Sequence, residues 1–312
     1  MKENAEKIKL IAVVGPTASG KTAAGVYLAS QLDGEVISAD SMQIYKGMDI
    51  GSAKPSADEM QGIPHHLIDF LDPNEIFSVA KYVKLAHEKI SDVSKRGKQP
   101  ILVGGTGLYI NSLVNNIIFS EVEENPVFRE EMLKRAESEG SEALLAELFK
   151  IDPDTSKNLN KGDLFRIIRA LEVYKQTGKT MSEYKEASLL QPSVYSLHMV
   201  GINYRSREKL YEKINRRVDI MIERGLLSEA EEVITLNKNA TAVQAIGYKE
   251  LAPFIHGLAD YNECVENLKR ETRRYAKRQL TWFRRDSRIN WYYADEYESP
   301  DFLFKDIMKN LV

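Results

Sequence analysis

The sequence predicts an α/β protein with a parallel sheet flanked by helices and an all-helical segment inserted into the chain. Three observations carry this. Short apolar runs with β-branched residues alternate with longer amphipathic stretches, as strands joined by helical crossovers do. Each of the first three runs gives way to glycine or aspartate, residues suited to a loop. The alternation stops after about Val114 and resumes near Ser193.

Taken in order, Lys9 to Val14 reads as a buried parallel strand and Lys21 to Leu32 as the following helix. After a turn at Asp33-Gly34 come a second strand, Glu35 to Ala39, a long helix from Ser78 to Arg96, and a third strand, Pro100 to Val103. Between about 115 and 194 the chain carries charged amphipathic segments at Pro126 to Ser138, Ser141 to Lys150 and Leu164 to Gln176, with no convincing strand between them. Ser193 to Ile202 can return to the sheet, and Arg205 to Arg224 and Asp260 to Phe283 have long helical patterns. The expected organisation is therefore a core from 1–114 and 195–312, ending in basic helices, and a helical insertion from 115–194.

Composition narrows the classes. A chain of 312 residues can bury a substantial core, and 43 Lys plus Arg against 46 Asp plus Glu leave a net charge of −3 that by itself argues neither for nor against nucleic acid. The single cysteine, Cys264, excludes an internal disulfide framework and multi-cysteine metal sites. No apolar run approaches the roughly 20 residues of a membrane span, so a soluble cytoplasmic protein with no membrane association is expected. Nothing suggests an obligate protein partner.

The strongest motif is Gly15-Pro16-Thr17-Ala18-Ser19-Gly20-Lys21-Thr22, which fits the G-x-x-x-x-G-K-[ST] phosphate loop and lies between a strand and a helix, as that motif requires. Its backbone amides surround phosphate oxygens, Lys21 adds positive charge, and the Thr22 hydroxyl can hold Mg²⁺. The core is thus of the P-loop type. Thr177-Gly178-Lys179-Thr180 looks like a second copy but lacks the first glycine, since Val173 stands there, and the residues before it are helical.

The loop does not by itself mean nucleotide hydrolysis. Hydrolases commonly place an acidic residue at the end of another core strand to support the metal. Here the strand Ile101-Leu102-Val103 runs into Gly104-Gly105-Thr106-Gly107, which offers close backbone approach and one hydroxyl. The carboxylate instead follows the second strand as Asp40, with Ser41, Met42 and Gln43 behind it. Alone, Asp40 could be a turn cap; beside a phosphate loop it is a catalytic candidate, and Ser41 and Gln43 can meet a base edge.

These residues, GPTASGKT at 15–22, DSMQIYKGMDIGSAKP at 40–55 and GGTGLY at 104–109, together with PVFR at 126–129, FRIIRALEVY at 165–174, QAIGYKE at 244–250 and YAKRQLTWFR at 275–284, resemble bacterial tRNA dimethylallyltransferases in order over nearly the whole chain. The resemblance implies transfer of a dimethylallyl group from dimethylallyl diphosphate to N6 of the adenosine 3′ of the anticodon, with Mg²⁺ and release of diphosphate. It implies tRNA, through its anticodon stem-loop, held between the core and the insertion with the target base flipped. Asp40 matches the proposed general base, and the stretch through Ser41, Met42 and Gln43 the adenine-contacting segment. Thr106, Arg129, Arg166 and Arg169 match positions assigned to tRNA or reaction-centre contacts, and Arg217 one assigned to diphosphate. With a single cysteine in the sequence, the cysteine- and histidine-containing zinc site of eukaryotic members is not expected here.

Between Lys269 and Arg288 nine basic residues face two acidic ones, many at helical spacing, a cationic stripe suited to RNA phosphates in which Arg273 and Lys277 lie one turn apart. Tyr275, Trp282 and Phe283 lie among them, and these aromatics are expected mostly to face the core. His65 and His66, with no third ligand nearby, and the pair Met221-Ile222 read as structural. Competing readings are a small-molecule or nucleoside kinase, which would turn over ATP; an RNA-binding module without chemistry, which leaves Asp40 and Thr106 unexplained; and prenyl transfer to free adenine nucleotides, against which the insertion and its arginines argue.

Overall fold

The computed structural model describes residues 7–120, 122–236 and 241–311. Six strands, β1 (Ile8–Val14), β2 (Gly34–Ala39), β3 (His65–His66), β4 (Gln99–Gly104), β5 (Tyr195–Asn203) and β6 (Ile289–Tyr293), form one sheet in the order β3-β2-β4-β1-β5-β6. Every pairing is parallel. The chain divides into two compact units, Met1–Val114 with Val194–Val312, and Asn115–Ser193.

In the first unit, α1 (Lys21–Gln31), the single turn α2 (Ala57–Met60), α3 (Val79–Lys95) and α4 (Gly107–Val114) follow the early strands. The regular elements among the described residues of the second unit are all helices: α5 (Pro126–Glu139), α6 (Ser141–Ile151), the short α7 (Pro153–Ser156), α8 (Leu164–Thr177) and α9 (Met181–Leu189). It has its own apolar core of Phe128, Met132, Leu144, Leu148, Ile167, Ile168, Ala170 and Leu171. Back in the first unit come α10 (Arg207–Glu223), α11 (Leu226–Ile234), α12 (Tyr248–Ile255), α13 (Tyr261–Phe283) and α14 (Pro300–Lys309).

Central strands buried on both faces explain the near-continuous apolar runs. Ile11, Val13, Ile101, Val103, Val200 and Ile202 pack against Ala24 and Leu28 of α1 and Leu303, Phe304 and Ile307 of α14. A second cluster joins Ile44, Tyr45 and Met48 to Val218, Leu226, Tyr248, Leu251, Cys264 and Leu268. Side-chain caps fix where several helices begin: Ser78 accepts from the Lys81 amide, Ser206 from Lys209, and Asp260 from Asn262 and Glu263.

The four strands read from sequence are present within a residue or two; β3 and β6 were not read. His65 and His66 form β3. His66 Nε2 lies 2.6 Å from the buried Glu35 carboxylate, which Arg96 also grips, and hydrogen bonds from Arg96 above all hold that carboxyl down at about 2. Thr177 to Thr180 is a helix junction: Gly178 ends α8 in the left-handed region, and Thr180 caps α9 with Glu183 closing a capping box. No helix among the described residues is long and apolar enough to cross a membrane.

Candidate active site

Register brings the catalytic candidates together. Val14 and Ala39 both pair with Gly104, so β1, β2 and β4 end abreast, and Gly15, Asp40 and Gly105 leave the sheet at one level. With strands about 4.8 Å apart, three loops open into one crevice at the carboxyl ends of the strands.

The loop from Gly15 to Thr22 has the shape its residues require. A side chain on Gly15 would stand 2.3 Å from the Ile202 carbonyl oxygen. Gly20 adopts φ 91° just before α1, and Ala18 takes the left-handed region at φ 62°. Pro16 accepts a hydrogen bond from Lys21 Nζ at 3.3 Å. The Ser19 hydroxyl is buried with no hydrogen-bond partner among the described residues, a polar atom left for a ligand or water to satisfy.

A cavity of about 280 Å³ beside the loop is lined by Thr17, Lys21, Thr22, Asp40, Ser41, Met42 and Gln43, by Arg217, Val218 and Met221 of α10, by 244–247 and Lys249, and by Leu268, Thr272, Tyr275, Arg278 and Gln279 of α13. Asp40 Oδ1 accepts from the amides of Met42 at 2.9 Å and Gln43 at 3.4 Å, an aspartate turn that holds the carboxylate in place. Thr106 Oγ1 accepts from the Ser41 amide at 3.0 Å, and the Thr106 amide donates to Ala39 at 3.1 Å. Gln43 is held by its side-chain amide, which donates to Ala53 at 3.2 Å and accepts from Ser38 at 3.3 Å.

Lys21 and Arg217 are the two cations of this cavity whose proton affinity burial lowers. Burial, then the neighbouring Arg217, pull the Lys21 ammonium down to about 8 against the opposing Asp40 carboxylate. Burial also lowers Arg217, again with Asp40 opposing. Two desolvated cations beside one carboxylate leave positive charge for an anionic ligand to neutralise. For Mg²⁺ the donor set fits: Thr22 offers a hydroxyl and Asp40 a carboxylate in one cavity, and this ion takes one or two protein ligands and completes its shell with water and phosphate oxygens.

The other candidates lie as follows. Within the second unit, Glu172 is fully buried and accepts from Arg129 at 2.9 Å, Arg169 at 2.7 Å and the Asn125 amide at 2.8 Å. Arg166 is largely exposed and pairs with Asp163 at 3.1 Å. On α13, Arg273 donates to Asn215 at 2.6 Å, whereas Lys277 is exposed and, like Arg278, Arg284 and Arg285, has no ion-pair partner among the described residues. Of the aromatics, Phe283 is in the core, Trp282 is 38% exposed, and Tyr275 lines the cavity. Met221, read as ordinary packing, does pack against the second cluster but also lines the cavity.

Two residues escaped the sequence reading. Glu229 of α11 accepts from the amides of Asp49, Ile50 and Gly51 at 2.7–2.8 Å and from the Tyr248 hydroxyl at 2.8 Å, fixing the segment that closes one side of the cavity. No local signal announces it. Gln279 is buried on α13 among Cys264, Leu268, Ala276 and Phe283, and a lone amide on an apolar helix face was a signal.

A glycine-rich loop between strand and helix, a carboxylate and a hydroxyl at adjacent strand ends, and two desolvated cations give this α/β fold a crevice suited to an anionic ligand. The IPP transferase family model matches residues 43–286, and the chain belongs to that family. It is 49% identical to a tRNA dimethylallyltransferase of Caldanaerobacter subterraneus over 97% of this chain and 98% of that one, and 46% identical to one of Bacillus subtilis over 93% and 92%. Among solved structures, a tRNA isopentenylpyrophosphate transferase from Bacillus halodurans superposes with TM-score 0.73 at 44% identity, covering 98% and 96% of the two chains. A eukaryotic dimethylallyltransferase acting on tRNA gives TM-score 0.82 at 30% identity over 97% and 80%.

Proposed function

We propose that this protein transfers a dimethylallyl group from dimethylallyl diphosphate to N6 of the adenosine 3′ of the anticodon in tRNA, releasing diphosphate. The observation that carries the reading is the single cavity in which the phosphate-loop residues Thr17, Lys21 and Thr22 meet Asp40 and Arg217.

The exocyclic amine of adenine is a poor nucleophile because its lone pair is delocalised into the ring. Removing its proton as the new C–N bond forms lowers the barrier. Asp40 is the base in this reading, supported by Oδ1 accepting from two backbone amides, with Oδ2 to take the amine proton. Thr106, bonded to the Ser41 amide, and Gln43 shape the edge against which the base rests. As the allylic C–O bond breaks, negative charge grows on diphosphate, and the loop amides, Lys21 and Arg217 stabilise it. Magnesium held by Thr22 would neutralise further charge on the leaving group. A stacked anticodon-loop base cannot present its amine inside such a cavity, so the nucleotide must flip out, at about a few kcal/mol. Lys277, Arg278, Arg284 and Arg285, free of ion pairs among the described residues, supply phosphate contacts for the RNA.

Incubation of the purified protein with unmodified tRNA and labelled dimethylallyl diphosphate, followed by mass analysis of the nucleosides, tests the reading. N6-dimethylallyl adenosine is expected. Label on free adenine nucleotides in preference to tRNA, or phosphoryl transfer from ATP, would overturn it.

A further inference from the structure

One amide of the phosphate loop is already committed to a side chain from the far end of the sequence. The Thr17 amide donates to Gln279 Oε1 at 2.8 Å, and Gln279 Nε2 donates to the Gly105 carbonyl at 2.9 Å. Gln279 is only 5% exposed, and a side chain on Gly105 would stand 2.2 Å from its Nε2, so the turn after β4 has room for this amide only because glycine is there. One buried carboxamide thus ties the loop after β1 to the loop after β4, using its acceptor for one and its donor for the other.

The same helix supplies more of this wall. Tyr275, one turn before Gln279, lines the cavity. Ala276 packs in the cluster that receives Ala18 of the phosphate loop, together with Leu210 and Ile214 of α10. Ala18 is the loop residue held at φ 62°, a conformation that costs energy unless the surroundings impose it.

We propose that Gln279 is a positioning residue for the donor: by engaging the Thr17 amide and the Gly105 carbonyl together it fixes the shape of the phosphate loop before diphosphate arrives. The inference rests on the reading of this loop as a diphosphate site. It gives the helix that bears the basic stripe a second task, that of templating the donor loop from behind. Without the carboxamide, the Thr17 amide and Gly105 carbonyl would be left buried and unpaired, and the loop would have to be ordered at the expense of ligand binding.

The test uses the full chain, inorganic diphosphate as the probe in titration calorimetry, and an anticodon stem-loop RNA as the control ligand. Gln279→Met keeps the length and removes both polar ends; diphosphate should bind about tenfold more weakly and RNA within about twofold of the unaltered chain. Gln279→Glu supplies the second measurement, since a protonated glutamic acid has the same acceptor and donor as glutamine and a carboxylate lacks the donor. Diphosphate affinity of Gln279→Glu, taken relative to the unaltered chain at each pH, should recover as pH falls and the buried carboxyl takes its proton. Equal loss of diphosphate and RNA affinity in Gln279→Met, or a pH-independent ratio for Gln279→Glu, would overturn the proposal. Diphosphate affinity unchanged in both variants sinks this inference alone, whereas no diphosphate binding by the unaltered chain sinks the donor-site reading with it.

Discussion

Lys21 of the phosphate loop and Arg217 of α10 line one cavity, and burial there, then the arginine, lower the lysine's hold on its proton. Neither cation forms an ion pair among the described residues; both lean on Asp40 through space. With its proton affinity pulled down to about 8, Lys21 in the donor-free protein is partly neutral just above neutral pH. Bound diphosphate favours the charged form, so donor affinity should fall as pH rises through about 8. Lys21→Arg, charged throughout, should lack this step while seeing the same titration of the ligand. Calorimetry at pH 7 and pH 9 on both proteins checks it; parallel profiles would remove Lys21 from the diphosphate. Folding stability has the opposite sign: the unfolded lysine holds its proton up to about 10.5, so this group's contribution to stability rises with pH between about 8 and 10.5.

Glu172 makes the second prediction. Burial raises its carboxyl, but hydrogen bonds from Arg129, the Asn125 amide and Arg169 outweigh that and leave it lowered. Removing the carboxylate by Glu172→Ala takes the shared partner from two partly exposed arginines, of which Arg129 keeps Glu124, and leaves the Asn125 amide unpaired, at about 1–3 kcal/mol. Differential scanning calorimetry should show the inserted unit melting earlier. With a lowered proton affinity, the stabilisation from Glu172 is present above the unfolded value near 4.5 and is lost as pH falls below it. A melting profile like that of the unaltered chain would mean that the arginines find other partners.

How much of this was legible in the sequence depended on the range of the contact. The phosphate loop, Asp40 and Thr106 sit at strand ends within short motifs, and parallel register alone brings them abreast. β3 has only two residues, and β6 follows a charged helix end with Trp291, Tyr292 and Tyr293 half-exposed, so neither has the buried apolar run that marked the others. The pairing of Arg129 and Arg169 with Glu172 was hidden because the resemblance assigns these arginines to tRNA or the reaction centre, and the burial of Glu172 between them is a tertiary fact. Glu229 reaches amides about 180 positions away, and no local pattern encodes such a bond.

Lys277 and Arg284 lie seven residues apart on one exposed face of α13 and its end, and neither has an ion-pair partner among the described residues. If that face meets RNA phosphates, raising salt from about 50 to 200 mM should weaken stem-loop binding by orders of magnitude. Reversing both charges, Lys277→Glu with Arg284→Glu, should weaken binding at low salt and flatten the slope of log affinity against log salt by roughly two contacts. Inorganic diphosphate binding should be unaffected. An unchanged slope would place the RNA on another face.

The final prediction concerns the two oxygens of Asp40. Oδ1 accepts from the Met42 and Gln43 amides, and an asparagine in its place keeps that turn, since its carbonyl oxygen accepts the same bonds. What asparagine cannot do is take a proton at the second position. Asp40→Asn therefore separates a carboxylate that merely caps a turn from one that accepts the amine proton. If proton removal contributes the roughly 10²- to 10⁴-fold typical of a general base, single-turnover prenyl transfer should fall by about that factor, with tRNA and donor affinities changed far less. Stability should change little, because the turn survives. A single-turnover rate near that of the unaltered chain would assign Asp40 to positioning and leave Thr106, already bonded to the Ser41 amide, or the departing diphosphate as the proton acceptor.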